Sequence, residues 1–115
     1  MRKITLDICQ EFRGLGRATL EFAAFDLTVD VRELTQAEVK QVYESLIGKD
    51  PNLPEVNEIA ELQFCSLGIV EGDDQLFNSD AGRAALKELP YGIRKAISDK
   101  VMAITGLNSG VEKKS

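Results

Sequence analysis

The most constraining feature of this chain is a change of hydrophobic period between residues 27 and 47. Leu27, Val29 and Val31 alternate with polar or charged residues, which places the apolar side chains on one face of a β-strand. Beyond Glu33 the apolar residues recur at intervals of three and four, as on one face of an amphipathic helix. These residues are Val39, Val42, Tyr43, Leu46 and Ile47. The chain is therefore predicted to run from a strand directly into a helix.

The start and the end of this helix carry local signals. Thr35 and Glu38 have the spacing of a capping box. In a capping box the threonine hydroxyl accepts a hydrogen bond from a backbone N–H of the first turn, and the glutamate carboxylate accepts one from the backbone N–H of the threonine. Gly48 suits the left-handed residue that ends a helix, and Pro51 prevents its continuation.

The N-terminal third is predicted to form a small sheet. Lys3–Cys9 and Arg17–Phe25 read as strands that are joined by a turn through Arg13–Gly16. Asp26–Arg32 follows so closely that it either continues the second strand after a bend or pairs with it as a hairpin.

The middle of the chain is predicted to contain a helix and a turn. Leu53–Phe64 shows a helical apolar pattern, and Pro54 fits the first turn of that helix. Leu67–Phe77 contains two short apolar runs around an acidic, glycine-containing turn, which indicates a hairpin or an irregular loop.

Two helices are predicted to complete the fold. Ser79 can cap a helix over Asp80–Leu89, and Pro90 opens a last helix that Gly106 ends. The apolar stripe of the last helix is Ile93, Ala96, Ile97, Val101 and Ile104. We expect a single α+β domain over residues 1–107, with a small N-terminal antiparallel sheet of two to three strands and about four helices, followed by a mobile tail over residues 108–115.

Composition argues against most enzyme chemistry. The chain contains no histidine, which removes Ser-His-Asp and Cys-His nucleophiles and the commonest metal ligand. Cys9 and Cys65 match no zinc or redox spacing, so we predict two small buried thiols. The aspartates between residues 73 and 80 lack the order of a calcium loop, and residues 14–16 lack the rest of a nucleotide-binding loop. We therefore expect no enzyme, no cofactor and no metal.

A membrane location is not expected either. The longest apolar runs fall short of the ~20 residues that span a bilayer. Residues 3–8 alternate between polar and apolar side chains where a signal peptide needs an unbroken apolar core. We expect a cytosolic protein without a membrane partner.

Charge is divided into three blocks along the chain. Residues 1–49 carry seven Lys/Arg and eight Asp/Glu, residues 50–82 carry none and eight, and residues 83–115 carry seven and three. Such segregation can bring the oppositely charged ends of two copies together, with the acidic block of one facing Arg94, Lys95 or Lys100 of the other. We therefore expect a homo-oligomer. The alternative interpretation is a solvated acidic helix face.

Two groups of residues are candidates for partner binding. The first is an acidic helix face that contains Glu55, Glu58 and Glu61, whose helical spacing favours an outer surface over acid/base catalysis. The second centres on Met102, which is predicted to face solvent about half a turn from the apolar stripe, beside Arg94 and Lys95. A flexible thioether with a basic rim suits a variable partner surface. The alternative is an isolated exposed methionine without a role.

The segment between residues 62 and 86 resembles the end of a winged helix-turn-helix, in which a recognition helix is followed by a hairpin and a helix. The residues that carry this resemblance are Leu62, Leu67, Gly68, Ile69, Val70, Phe77, Gly82 and Leu86. A recognition helix and wing lie on phosphates, and Lys and Arg supply much of the affinity. Because the candidate recognition helix and wing belong to the block without Lys or Arg, we expect no nucleic-acid binding. A winged shape used for protein contacts, in a regulatory or adaptor protein, is the alternative function.

Two motifs together resemble the tail assembly chaperones of long-tailed bacteriophages and prophages. In that family a helix entry reading V-R-E-L-T-x-x-E precedes a segment reading roughly V-x-D-x-x-G-x-x-L-F-x-D-x-D. Val29–Glu38 and Ile69–Asp80 match these motifs, and the similarity extends from about Phe25 to Leu107. The chain departs from the second motif at Glu71-Gly72, where the order of acid and glycine is shifted.

The resemblance implies a viral protein that acts in the host cytoplasm and is not part of the mature virion. Proteins of this family keep the long, aggregation-prone tape measure protein soluble and promote assembly of the tail tube around it. The expected partners are therefore the tape measure protein and the tail-tube protein.

Overall fold

A computed structural model describes residues 1–11 and 16–107 of the chain. The helices are α1 (Leu6–Glu11), α2 (Gln36–Glu44), α3 (Pro54–Gly68), α4 (Asp80–Leu86) and α5 (Tyr91–Thr105), and the strands are β1 (Arg17–Phe22), β2 (Leu27–Arg32), β3 (Val70–Glu71) and β4 (Asp74–Gln75). The predicted α+β class, with a small antiparallel sheet followed by several helices, is confirmed. The predicted tail over residues 108–115 and most of the predicted turn at residues 13–16 lie outside the described residues.

The N-terminal sheet is a two-stranded hairpin. β1 and β2 pair antiparallel from Arg17 opposite Arg32 to Phe22 opposite Leu27. A short 3₁₀ turn over Ala23–Phe25 joins them, and Asp26 takes the left-handed conformation with φ 50°. Of the two interpretations of the second strand, the hairpin is therefore confirmed, and β1 ends three residues earlier than predicted because the chain turns there.

The predicted strand over Lys3–Cys9 is wrong, because Leu6–Cys9 belong to α1 and residues 3–5 form no strand. The Cys9 N–H donates to the Thr5 carbonyl at 3.0 Å, and the Ile8 N–H donates to the Thr5 hydroxyl at 3.2 Å. Alternating apolar residues favour a strand only where a neighbouring strand forms hydrogen bonds with the backbone N–H and C=O groups. Without such a neighbour, a helix pairs these groups within the segment itself. Cys9 is exposed, so the prediction that it is buried is also wrong.

The predicted capping box at the start of α2 is confirmed. The Glu38 N–H donates to the Thr35 hydroxyl at 3.2 Å, and the Thr35 N–H donates to the Glu38 carboxylate at 2.9 Å. The predicted apolar stripe is only partly correct. Val42 is fully buried, whereas Tyr43 is exposed within α2. Ile47 is also exposed, because α2 ends at Glu44 and the helical period does not continue to it.

The core is formed where α3 and α5 pack against each other and against the inner face of the hairpin. Its buried residues are Val31, Leu34, Val42, Leu62, Phe64, Cys65, Leu67, Ile69, Leu86, Ile93, Ile97 and Val101. α3 is longer than predicted because its last turn is buried. Gly68 permits the close approach, since a Cβ atom there would lie 2.5 Å from Cγ2 of Val101.

A second hairpin and two capped helices complete the fold. β3 and β4 pair antiparallel around Gly72, which has φ 64°, so the hairpin interpretation of this segment is confirmed. The Ser79 hydroxyl accepts from the Gly82 N–H at 2.9 Å, as predicted for the cap of α4. Gly106 ends α5 in the left-handed conformation, and the Leu107 N–H donates to the Met102 carbonyl at 2.8 Å.

Candidate functional site

An apolar groove of about 440 Å³ lies between the β2 edge and the second hairpin. β2 is bridged to the end of α3 at Val31 opposite Ile69, and the groove lies beside this bridge. We call this opening the apolar groove. Its lining residues are Leu27, Thr28, Val29, Asp30, Ile69, Val70, Glu71, Leu76, Phe77, Leu86, Leu89 and Ile97. A volume of this size lies within the ~300–1,000 Å³ of typical ligand sites.

The floor and the rim of the apolar groove differ in chemistry. Leu86 and Ile97 at its floor are buried members of the core. Leu76 at its rim is 50% exposed, and Asp30 and Glu71 add exposed carboxylates beside it. The groove therefore combines an apolar interior with an acidic rim, which suits an apolar segment that is flanked by basic residues.

The apolar groove is not among the sites predicted from the sequence. Leu76 and Phe77 directly follow the acidic turn of the second hairpin, and two large apolar residues at that position are the one local signal. The side of the groove that β2 forms cannot be identified from local patterns, because it depends on how two segments that are distant along the chain pack together.

The structure brings together three of the predicted partner-binding residues, Arg94, Glu61 and Glu58, where α5 packs on α3. Arg94 is buried, and its Nε donates to Glu61 Oε1 at 2.6 Å while its second amino group lies 3.5 Å from Glu58 Oε2. The hydrogen bond that Arg94 donates to Glu61 is the main cause of the raised pKa of Arg94. Arg94 therefore joins α5 to α3, which corrects the premise of an exposed basic rim, and its role in partner binding stays a prediction.

The geometry predicted for Met102 is also wrong. Its side chain is half-buried and packs against the core, along with Ile104 and Leu107. Arg94 and Ser98 are also buried on α5. The buried face of this helix is therefore wider than the face that was predicted from its apolar residues alone. The role of Met102 in partner binding stays a prediction, and its premise of a solvent-facing side chain is corrected.

The remaining predicted residues lie on the surface. Lys95 is exposed and pairs with Asp99 one turn later, with 3.4 Å between Nζ and the carboxylate. Glu55 is exposed in the first turn of α3. Neither side chain lines the apolar groove.

Glu38 lies in a polar network that joins β2, α2 and the second hairpin, of which only the capping box with Thr35 was predicted from the sequence. Both terminal nitrogens of Arg32 donate to Glu38 at 2.9 Å, and the Gln75 amide donates to Glu38 at 2.7 Å and to the Leu67 carbonyl at 2.9 Å. Burial acts to raise the pKa of Glu38, but the hydrogen bonds from Arg32, Thr35 and Gln75 outweigh it, so its pKa is lowered. Glu38 thus caps α2 and also holds β2 and β4 beside the groove.

The two cysteines differ in burial. Cys65 is buried and its thiol donates to the Arg94 carbonyl at 3.4 Å, whereas Cys9 is exposed. Burial raises the pKa of Cys65 to about 12, so it is a neutral thiol at physiological pH. Over residues 1–11 and 16–107 no group of His, Cys, Asp and Glu side chains is arranged to hold a metal ion. Within the same ranges, no helix has the length and apolar character needed to cross a membrane.

Comparisons of the chain with protein-family models, with curated proteins and with solved structures found no match.

Proposed function

We propose that this protein is a tail assembly chaperone of a long-tailed bacteriophage or prophage, and that it binds segments of the tape measure protein in the apolar groove. The sequence resemblance supports membership of this family. The apolar groove is the observation that supports the location of the binding site. The protein acts in the host cytoplasm, outside the mature virion.

The chemistry of the apolar groove fits such a partner. A tape measure protein presents long amphipathic segments, whose apolar side chains aggregate unless they are covered. Full burial of one Leu, Ile or Phe side chain is worth about 1.5–3 kcal/mol, so a groove that takes two or three gives reversible binding after the entropy of association is subtracted. Reversibility is required of a chaperone that must release its partner to the tail tube.

The rim selects among apolar segments. Asp30 and Glu71 stand beside the groove, and no Lys or Arg occurs between residues 50 and 82. Acidic rims attract segments in which Lys or Arg flanks the apolar residues, and this part of the affinity weakens with salt over a screening length of about 8–10 Å.

Co-expression with the tape measure protein of the same phage tests the proposal. Leu76→Asp places a charge at the groove rim, and Leu53→Asp is a matched control, because Leu53 is 42% exposed and does not line the groove. We expect Leu76→Asp to reduce the yield of soluble tape measure protein and Leu53→Asp to leave it unchanged. Equal yields for the two variants, with both proteins folded, contradict binding in the groove.

A winged-helix-like adaptor is the second candidate, since α3 is followed directly by a hairpin and then by α4. That function requires protein contacts through α3 and the hairpin, because both lie within the block without Lys or Arg. Salt-sensitive binding of duplex DNA in a gel-shift titration would favour a winged-helix regulator over the chaperone.

A further inference from the structure

The edge of β2 that borders the apolar groove is unpaired over residues 27–29. β2 pairs with β1 on its other side. On the groove side, within the described residues, it meets another segment only at the bridge of Val31 with Ile69. The Glu33 N–H donates to the Gly16 carbonyl, so Glu33 and every second residue back along β2 direct their backbone groups to β1. Thr28 falls between these residues and directs its N–H and C=O to the groove side.

The second hairpin does not cover this edge. Its turn is held at the other end of the ladder, because Arg17 donates to the Gly72 carbonyl at 2.7 Å and binds the Asp73 carboxylate at 2.9 Å. Arg17 lies opposite Arg32, whereas Leu27 is at the far end of the same strand. A rise of ~3.3 Å per residue separates the two ends of β2 by about 16 Å. The edge beside Leu27 therefore stays open.

The unpaired groups of Thr28 determine which conformation of a partner fits the groove. An occupant that contacts both Leu27 and Val29 also covers the edge between them and removes water from the Thr28 N–H and C=O. A helix pairs its backbone internally and offers these groups no partner, and a buried backbone group without a partner costs about as much as a lost hydrogen bond. An extended segment presents its own N–H and C=O to the edge and pairs both groups.

Strand pairing also determines which side chains of the segment enter the groove. Leu27 and Val29 are half-buried on the inner face of β2, and Thr28 is exposed on the outer face. Directly opposite side chains of paired strands share a face. The two residues of the segment opposite Leu27 and Val29 therefore face Leu86 and Ile97 at the floor of the groove, and the residue between them faces solvent.

Charge identifies the end of the segment that is basic. Asp30 and Glu71 are exposed and line the groove beside the bridge of Val31 with Ile69, and no Lys or Arg is among its described lining residues. A Lys or Arg next to the apolar residue nearer this bridge approaches both carboxylates, so the charges of segment and rim are complementary.

We infer that the apolar groove binds its partner as an extended strand that pairs with the Leu27–Val29 edge of β2. Read towards the bridge of Val31 with Ile69, the segment carries an apolar residue, any residue, a second apolar residue and then Lys or Arg. The source of the segment, the tape measure protein, rests on the proposed function, and the strand conformation and the residue pattern go beyond it.

Amide hydrogen exchange measured by NMR tests strand pairing, with a synthetic segment of the tape measure protein that carries this pattern. We expect the Thr28 amide to exchange as an exposed amide in the protein alone and at least about tenfold more slowly when the segment is saturating. The Thr19 amide is the matched control, because its N–H is directed to the outer edge of β1 and should stay unprotected.

The outcomes separate the conformation of the partner from the proposed function. Shifted methyl signals of Leu76 and Leu86 without protection of Thr28, or with equal protection of Thr19, overturn strand pairing and leave binding in the groove intact. Methyl signals that do not shift overturn both. A Thr28 amide that is already protected in the protein alone means that a segment of this chain occupies the edge, which also overturns the inference.

A proline substitution supplies an independent readout. Thr28→Pro removes the donor but leaves the ladder with β1 intact, because proline is tolerated where the N–H of an edge strand points outwards. We expect it to weaken binding of the segment by roughly 2–10-fold, the range of one hydrogen bond. Thr28→Val is the matched control, since it removes the hydroxyl and keeps the N–H.

Isothermal titration calorimetry measures both affinities, and thermal melting followed by circular dichroism verifies that both variants fold. Equal affinities for folded Thr28→Pro and Thr28→Val proteins would overturn strand pairing. If Thr28→Pro does not fold, the amide measurement on the unchanged protein decides.

Discussion

The contact between Arg94 and Glu61 gives a stability prediction that also tests the correction of the partner-binding residues. Arg94 is 7% exposed, and the Glu61 side chain is 12% exposed. Arg94→Met keeps an apolar stem against α3 but removes the partner of the Glu61 carboxylate. Breaking a fully buried charge pair costs roughly 3–5 kcal/mol. Because Glu61 keeps some contact with water and Glu58 is 44% exposed, we expect a loss of about 2–3 kcal/mol.

Urea denaturation measures this loss, and a melting temperature lower by roughly 10–20 °C should accompany it in a domain of this size. Arg94→Met combined with Glu61→Met should recover most of the stability, because an apolar pair of similar volume replaces a buried charge pair at little cost. Lys95→Met is the matched control, since Lys95 is exposed one residue along the same helix and its pair with Asp99 is worth less than about 1 kcal/mol. If Arg94→Met loses no more stability than Lys95→Met, Arg94 is a solvated side chain that is available to a partner.

Three further predictions concern the fold around the site. Thr35→Ala should cost about 1 kcal/mol through loss of the helix cap, and coincident urea midpoints for the two proteins would show that the cap contributes nothing. The lowered pKa of Glu38 means that its stabilising effect is complete above the unfolded value near 4.5 and is lost as pH falls through the folded value. Glu38→Gln should therefore flatten the decline of the free energy of unfolding in acid, and an unchanged slope would refute this assignment. Gly68→Ala should cost about 1–3 kcal/mol by overpacking against Val101, and Val101→Ala in the same chain should offset part of that loss, whereas additive losses would contradict the close approach.

Local signals were sufficient for the elements whose hydrogen bonds close within a few residues. The Thr35 and Ser79 caps, the left-handed Gly106 and the alternation of β2 were all predictable, because each depends on side chains that are neighbours along the chain. These signals also fixed the order of the elements from β1 to α5.

The predictions were wrong where the structure of a segment depends on residues that are distant along the chain. Alternation in residues 3–8 is compatible with a strand, but residues 6–8 belong to α1, because no other strand in the described residues pairs with the segment. The inner face of α5 was assigned from apolar residues alone, and it also includes Arg94 and Ser98 because Glu61 on α3 supplies a partner for the guanidinium. The apolar groove could not be predicted for the same reason.

The most direct test of binding in the apolar groove is a methyl NMR titration of the labelled protein with a segment of the tape measure protein. If the segment binds in the apolar groove, the methyl signals that shift are those of Leu27, Val29, Leu76, Leu86 and Leu89. The exposed methyl groups of Ile47 and Leu53 lie outside the groove and should not move. Shifts confined to Ile47 and Leu53, or no shifts at saturating concentrations of the segment, would contradict the proposal that this groove holds the tape measure protein.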